Sequence, residues 1–160
     1  MIEKEFIENL VLKNIEGSDL FLVEVVVKTG NNIQVMVDSM EGASIDACIK
    51  ISRFLNNSID REEEDFSLEV SSPGLGSPFR VKQQYAKNIG RDIEVVLNDG
   101  LKKRGKLLSI ADDLIVLETL QKDSSKGKHK KAKSVPIKIE IDLKEIKTTK
   151  AVIFFKWLSK

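Results

Sequence analysis

The spacing of apolar residues changes near residue 80, and that change limits the folds open to the chain. Before it, stretches with apolar residues three and four apart take turns with strictly alternating ones; after it, alternation dominates. Mixed periods build helices over a sheet, whereas sustained alternation builds sheet alone.

From Glu3 to Glu16, the positions of Phe6, Ile7, Leu10, Val11 and Ile15 predict one apolar face of a helix, ended by Gly17 and Ser18. Leu20 to Thr29 is rich in β-branched residues and predicts a strand, turned at Gly30-Asn31-Asn32 into a second strand carrying Ile33, Val35 and Val37. Ser44 is positioned to cap a second helix, with Ile45, Cys48, Ile49, Ser52 and Leu55 on one side. An acidic connection, Asp60 to Asp65, leads to a strand at Phe66, Leu68 and Val70. Beyond Arg80 come a short helix, Lys82 to Asn88, and five strands: around Ile93–Leu97, Lys102–Ile110, Leu114–Thr119, Val135–Ile141 and Thr148–Phe154. Asn98-Asp99-Gly100 is a strong hairpin turn, and Gly105 marks a bend or bulge. The expected fold class is α+β: an α-β-β-α-β two-layer domain over 1–75, a linker over 76–81, and a small closed or nearly closed β-barrel over 82–160.

Charge divides at the same place. Residues 1–80 carry 7 basic and 15 acidic side chains, residues 81–160 carry 19 and 10, and the net −8 and +9 give the whole chain +1. Such asymmetry predicts different partners for the two halves, with nucleic acid a common one for the basic half. Leu20 to Val27 is the best apolar run and is interrupted by Glu24, so no membrane helix is expected. The beginning Met1-Ile2-Glu3-Lys4-Glu5 lacks a signal-peptide layout, and one cysteine, Cys48, leaves no intrachain disulfide; a cytoplasmic protein is expected.

The most distinctive stretch joins the halves: Glu69-Val70-Ser71-Ser72-Pro73-Gly74-Leu75-Gly76-Ser77-Pro78-Phe79-Arg80. Pro73 presets φ at one turn corner and Gly74 accepts positive φ at the next, the chemistry of a type II turn, while Pro78 stiffens the exit. A rigid elbow explains most of these residues; the functional alternative is a loop presenting Ser71, Ser72, Leu75 and Arg80 to a partner. A catalytic serine is disfavoured, because neither serine sits in a glycine-flanked elbow and the one histidine, His129, lies in a lysine-rich stretch.

With its Glu-Val-Ser-Ser-Pro-Gly-Leu stretch at 69–75 and Pro78 and Arg80 following, the chain resembles the bacterial ribosome maturation factor RimP family. Ser44-Ile45-Asp46, Cys48, Ser52-Arg53 and Gly90-Arg91 support the resemblance, which spans essentially the whole chain. Gly76-Ser77 stands where the family usually has Asp-Arg, so contacts of that pair are not carried over. The resemblance implies a non-enzymatic, cofactor-free factor that assembles the small (30S) ribosomal subunit, with a C-terminal barrel similar to SH3 and Sm folds. It also implies a partner, the basic small-subunit ribosomal protein of the decoding region, which the acidic N-terminal domain suits. Partner-binding residues are then expected at Ser71, Ser72, Pro73, Gly74, Leu75, Pro78 and Arg80.

The second candidate is Gln121 to Ser134, where Lys122, Lys126, Lys128, Lys130, Lys131 and Lys133 face one acid, Asp123. Without apolar period it predicts a mobile loop between two barrel strands. Its plain reading is a solvated charged loop; its functional reading is a phosphate-contacting arm for small-subunit rRNA, which Lys102, Lys103, Arg104 and Lys106 could extend. No aromatics interleave these lysines, so base stacking is not expected. His129 is expected as a solvated loop residue, Cys48 as a core residue, and Ile153 to Leu158, including Trp157, as an apolar packing tail with an exposed anchor as the alternative. No metal site is expected. The reading that results is a transient, monomeric small-subunit assembly factor. Its rival is a general RNA-binding Sm-like module without ribosome specificity, and a serine hydrolase is a distant third.

Overall fold

The structure, a computed structural model, describes residues 1–74, 76–122 and 134–152. The chain divides into two compact units, Met1–Gly74 and Leu75–Lys160. Among the described residues it is an α+β protein with three α-helices and two sheets.

In the first unit, helix α1 (Lys4–Ile15) precedes strands β1 (Phe21–Lys28) and β2 (Asn32–Asp38), helix α2 (Ile45–Ser58) and strand β3 (Ser67–Ser71). β1 and β2 form an antiparallel hairpin through Gly30 and Asn31, whose φ values of 81° and 55° provide the left-handed turn that such a short connection needs. β3 pairs with β2 in parallel, from Asn32↔Ser67 to Met36↔Ser71, so α2 is the crossover that carries the chain back. The core lies between this sheet and the helices. Ile7, Val11 and Ile15 of α1 and Ile51 and Leu55 of α2 meet Val25, Ile33, Val35 and Val37.

Two expectations about helix faces are corrected here. Phe6, expected on the apolar face of α1, is 46% exposed, because the buried stripe runs through Ile7, Val11 and Ile15. In α2 the buried pair is Ile51 and Leu55, whereas Ile45 and Ile49 are 80% and 43% exposed. Ile45 and Ile49 lie outside that pair, beside Val70 and Ser71 at the end of β3.

The second unit holds helix α3 (Lys82–Lys87) and strands β4 (Asp92–Leu97), β5 (Lys102–Ala111), β6 (Leu114–Lys122), β7 (Ser134–Asp142) and β8 (Ile146–Ala151), with a 3-10 turn at Leu143–Glu145. All neighbouring strands are antiparallel, in the order β7-β6-β5-β4-β8. The last strand therefore returns beside the first. The sequence predicts a closed or nearly closed barrel; among the described residues the sheet does not close, and the ladder ends at β7 and β8. Alternation still does what it predicts. Ile93, Val95, Leu107, Ile115 and Leu117 are fully buried and, with Tyr85 and Ile141, form the second core. The expected irregularity of β5 is present. A Cβ at Gly105 would lie 2.5 Å from the Glu118 carbonyl oxygen, and the register shifts between Leu107 and Ser109. The expected loop 121–134 is shortened, because β6 continues through Gln121↔Val135 and Lys122↔Ser134. The fifth strand begins earlier than expected, at Ile146, where Leu97 supplies its partner.

Candidate functional site

The Ser44 hydroxyl accepts the Ala47 N–H at 3.0 Å and fixes where α2 begins. That start places Ile45, Cys48, Ile49 and Ser52 on one stripe, facing the end of β3. Together with Ala43, Val70, Ser71 and Ser72 they line a groove of ≈ 330 Å³. Ser71 closes the ladder with Met36, and Ser72 is exposed just beyond it. Cys48 is a free thiol, half-buried rather than a full core residue, and burial pushes its pKa up. Pro73 is half-buried and Gly74 exposed; Leu75 lies outside the described residues. The left-handed backbone of this stretch is recorded at Gly76, φ 80°, two residues past the corner that the sequence suggested.

Pro78 and Arg80 belong to the second unit. Here the chain is pinned to the sheet. The Phe79 N–H donates to the Thr149 carbonyl of β8 at 2.8 Å, and the Phe79 and Tyr85 rings meet edge-on, 5.0 Å apart and 88° between planes. Tyr85 Oη and Thr149 Oγ1 share a hydrogen bond of 2.7 Å. Gln84 Oε1 accepts the N–H groups of Arg80 and of Val81, the latter at 3.1 Å, and the Gln84 carbonyl accepts from Asn88 Nδ2 at 2.7 Å. The phenol of Tyr85 is held above its usual pKa, chiefly because it is buried, with the Thr149 hydrogen bond pulling the other way. The candidate partner-binding residues are thus divided: Ser71 and Ser72 in the α2–β3 groove, Arg80 at a pocket against β8. Sequence reasoning missed Phe79, Lys147 and Thr148 as pocket residues, since β8, which carries Lys147 and Thr148, meets Phe79 across some seventy positions of chain and no local spacing announces it.

Of the candidate phosphate-contacting lysines, Lys122 ends β6, its side chain outside the described residues, as are Lys126, Lys128, Lys130, Lys131 and Lys133. His129, Trp157 and the rest of 153–160 also lie outside them. The extension proposed on β5 carries its own counter-charges. Arg104 Nη2 lies 2.9 Å from Glu94 Oε2, and Lys106 stands opposite Asp92 on one side and Glu118 on the other. These pairings soften the positive patch on that face.

The acidic stretch of the first unit is exposed but structured. Arg61 pairs with Asp65 at 3.2 Å and stacks over the Phe66 ring at 4.2 Å. Asn31 Nδ2 donates to Glu64 at 2.9 Å; this bond, followed by that from the Met1 amine at 3.3 Å, holds the Glu64 carboxyl below its usual pKa.

Residues 8–76 match the family model described as the RimP N-terminal domain. A curated relative from Porphyromonas gingivalis, named ribosome maturation factor RimP, is 37% identical over 131 residues, covering 82% of this chain and 86% of the relative. The chain belongs to the RimP family. RimP relatives of the same name from Cytophaga hutchinsonii and Christiangramia forsetii are 33% and 44% identical, over 88% and 58% of this chain and 90% and 61% of their own lengths. The RimP N-terminal match spans the α2–β3 groove and stops just past Gly74, near the division between the two units. Among the described residues no helix is long and apolar enough to cross a membrane.

Proposed function

We propose that this chain is a cytoplasmic, monomeric, non-catalytic ribosome maturation factor that acts on the precursor of the small (30S) subunit. The observation that carries the reading is the 37% identity to a protein named ribosome maturation factor RimP across 82% of the chain. Its partners are a basic small-subunit ribosomal protein, that of the decoding region, and small-subunit rRNA. The acidic first unit steers the basic protein, opposite potentials raising the encounter rate, with Ser71, Ser72, Pro73, Gly74, Leu75, Pro78 and Arg80 as its contact segment. Lys122, Lys126, Lys128, Lys130, Lys131 and Lys133 contact rRNA phosphates without reading sequence. The strand order β7-β6-β5-β4-β8, with a 3-10 turn ahead of the returning strand, supports an SH3/Sm-like barrel for the second unit. Assembly is then biased by favouring one arrangement of the partners, with no covalent step.

Sucrose-gradient sedimentation of extract from the parent and a deletion strain tests this. Co-migration with small-subunit precursors and accumulation of unprocessed rRNA in the deletion are expected. Absence from those fractions with normal rRNA processing overturns the proposal. Equal affinity for purified subunits and arbitrary single-stranded RNA favours a general Sm-like RNA binder instead.

A further inference from the structure

We infer that the second unit carries an RNA-binding pocket against β8, in which Phe79 offers a stacking surface and Arg80 and Lys147 contact phosphates. The pocket, ≈ 210 Å³, has Phe79 and Leu143 among its apolar walls and Thr148 beside them, and of its described lining residues Arg80, Lys82 and Lys147 are cations and none is a carboxylate. Cations at the rim of an apolar, aromatic-bearing recess suit a ligand that is flat and apolar in one part and anionic in another. A nucleotide has that chemistry, with the Thr148 hydroxyl in place for a base edge or a ribose 2′-OH.

All three cations are exposed, and Lys82 Nζ lies 2.7 Å from Asp113 Oδ1. Arg80, next to Phe79 in the chain, and Lys147, next to Thr148, flank the aromatic wall and the hydroxyl and are assigned the phosphates. The aromatic wall is built in advance. Phe79 is fixed by its backbone bond to Thr149 and by its edge contact with Tyr85, whose hydroxyl is itself tied to Thr149. A rigid surface loses little freedom when a base settles on it. An acidic peptide could meet the same cations, but it would leave the aromatic wall and the hydroxyl unused. None of its described lining residues belongs to the lysine-rich stretch at 122–133, and it supplies the stacking residue that stretch's sequence lacks. It rests on the assembly-factor reading only for the source of the RNA.

The test uses the full chain and a fluorescein-labelled single-stranded RNA hexamer, with binding followed by anisotropy over a range of salt concentrations. Arg80→Gln with Lys147→Gln should flatten the slope of log affinity against log salt by about 1.4, two phosphate contacts on a single strand. Phe79→Leu should weaken binding about tenfold, the loss of one stacked base. Because Phe79 also packs beside the second core, its variant is interpreted only if thermal unfolding matches the parent; the exposed Arg80 and Lys147 pair stands as the independent arm. Lys50→Gln and Arg53→Gln in the first unit should leave the slope unchanged. The inference is overturned if the double variant keeps parental affinity and slope, if cross-linked RNA maps to residues outside the pocket alone, or if an oligoglutamate peptide competes as well as RNA. None of these outcomes bears on sedimentation with small-subunit precursors, so failure here and failure of the assembly reading are distinguishable.

Discussion

A methyl group at Gly105 would meet the Glu118 carbonyl oxygen at 2.5 Å, a backbone atom that cannot rotate away. Gly105→Ala is therefore expected to separate β5 from β6 locally and to cost about 1–3 kcal/mol, the usual penalty of overpacking. Urea unfolding should show a lower midpoint at unchanged slope. Tyr85 gives a second residue-level expectation. Tyr85→Phe leaves the hydroxyl of Thr149, a residue 1% exposed, without its 2.7 Å partner, and should cost about 1–3 kcal/mol in the same assay. The chain has one tyrosine, so its phenolate absorbance is assignable, and it should appear above the pH at which a free tyrosine ionises. The sign follows. A folded-state pKa raised above the unfolded value gives stability that is present below the ordinary phenol range and lost as pH rises through the folded value. Asp113, lowered chiefly by its hydrogen bond from Lys82, and Glu64, lowered chiefly by Asn31, act at the other end. Their contributions are present above ordinary carboxylate values and lost as pH falls through the depressed ones. Stability followed across pH should decline at both extremes, and Asp113→Asn should blunt the acid limb.

Among the elements, α2 shows how far local signals reach. Ser44 announced its start correctly, and Ser44→Ala, which removes the 3.0 Å bond to the Ala47 N–H, should cost about 1 kcal/mol by denaturant unfolding. What the spacing could not reveal is where the sheet stops. Ile45 and Ile49 share a side of the helix with Leu55, yet they stay exposed and become groove walls beside the end of β3. Hairpins were equally legible where a turn residue marked them, as at Asn98-Asp99-Gly100. The parallel β2–β3 pairing and the β4–β8 pairing had no comparable signal, because each joins segments separated by other elements. The candidate site followed the same division. Ser71, Ser72 and Arg80 stand out by their motif, but the Phe79–Thr149 bond that gives Arg80 its surroundings is a long-range event. Strand β6 ran past its apolar residues for a related reason. Leu120, Gln121 and Lys122 keep partners in Pro136, Val135 and Ser134, and backbone pairing needs no apolar alternation to continue. Pro136 is tolerated because β7 is an edge of the ladder.

Across the whole molecule, charge and architecture change together. The net −8 of residues 1–80 and +9 of residues 81–160 predict that association with a ribonucleoprotein weakens steeply with salt. Pelleting with purified small subunits at rising potassium chloride should show that loss, and an isolated second unit, if it folds, should retain RNA affinity better than the first. The order of strands adds a consequence for synthesis. In the second unit, β4 emerges early but has β8 as one of its two neighbours, the last strand to be made among the described residues. A nascent chain stopped before Ile146 exposes one whole edge of β4, lacks the Thr149 anchor for Phe79, and offers Val96 and Leu97 no strand on that side. Unpaired edges recruit other chains. Pulse-labelled nascent chains should therefore gain protease resistance in two steps, the first unit well before the second. Truncations between Leu143 and Thr149 should aggregate, while the first unit within them stays folded.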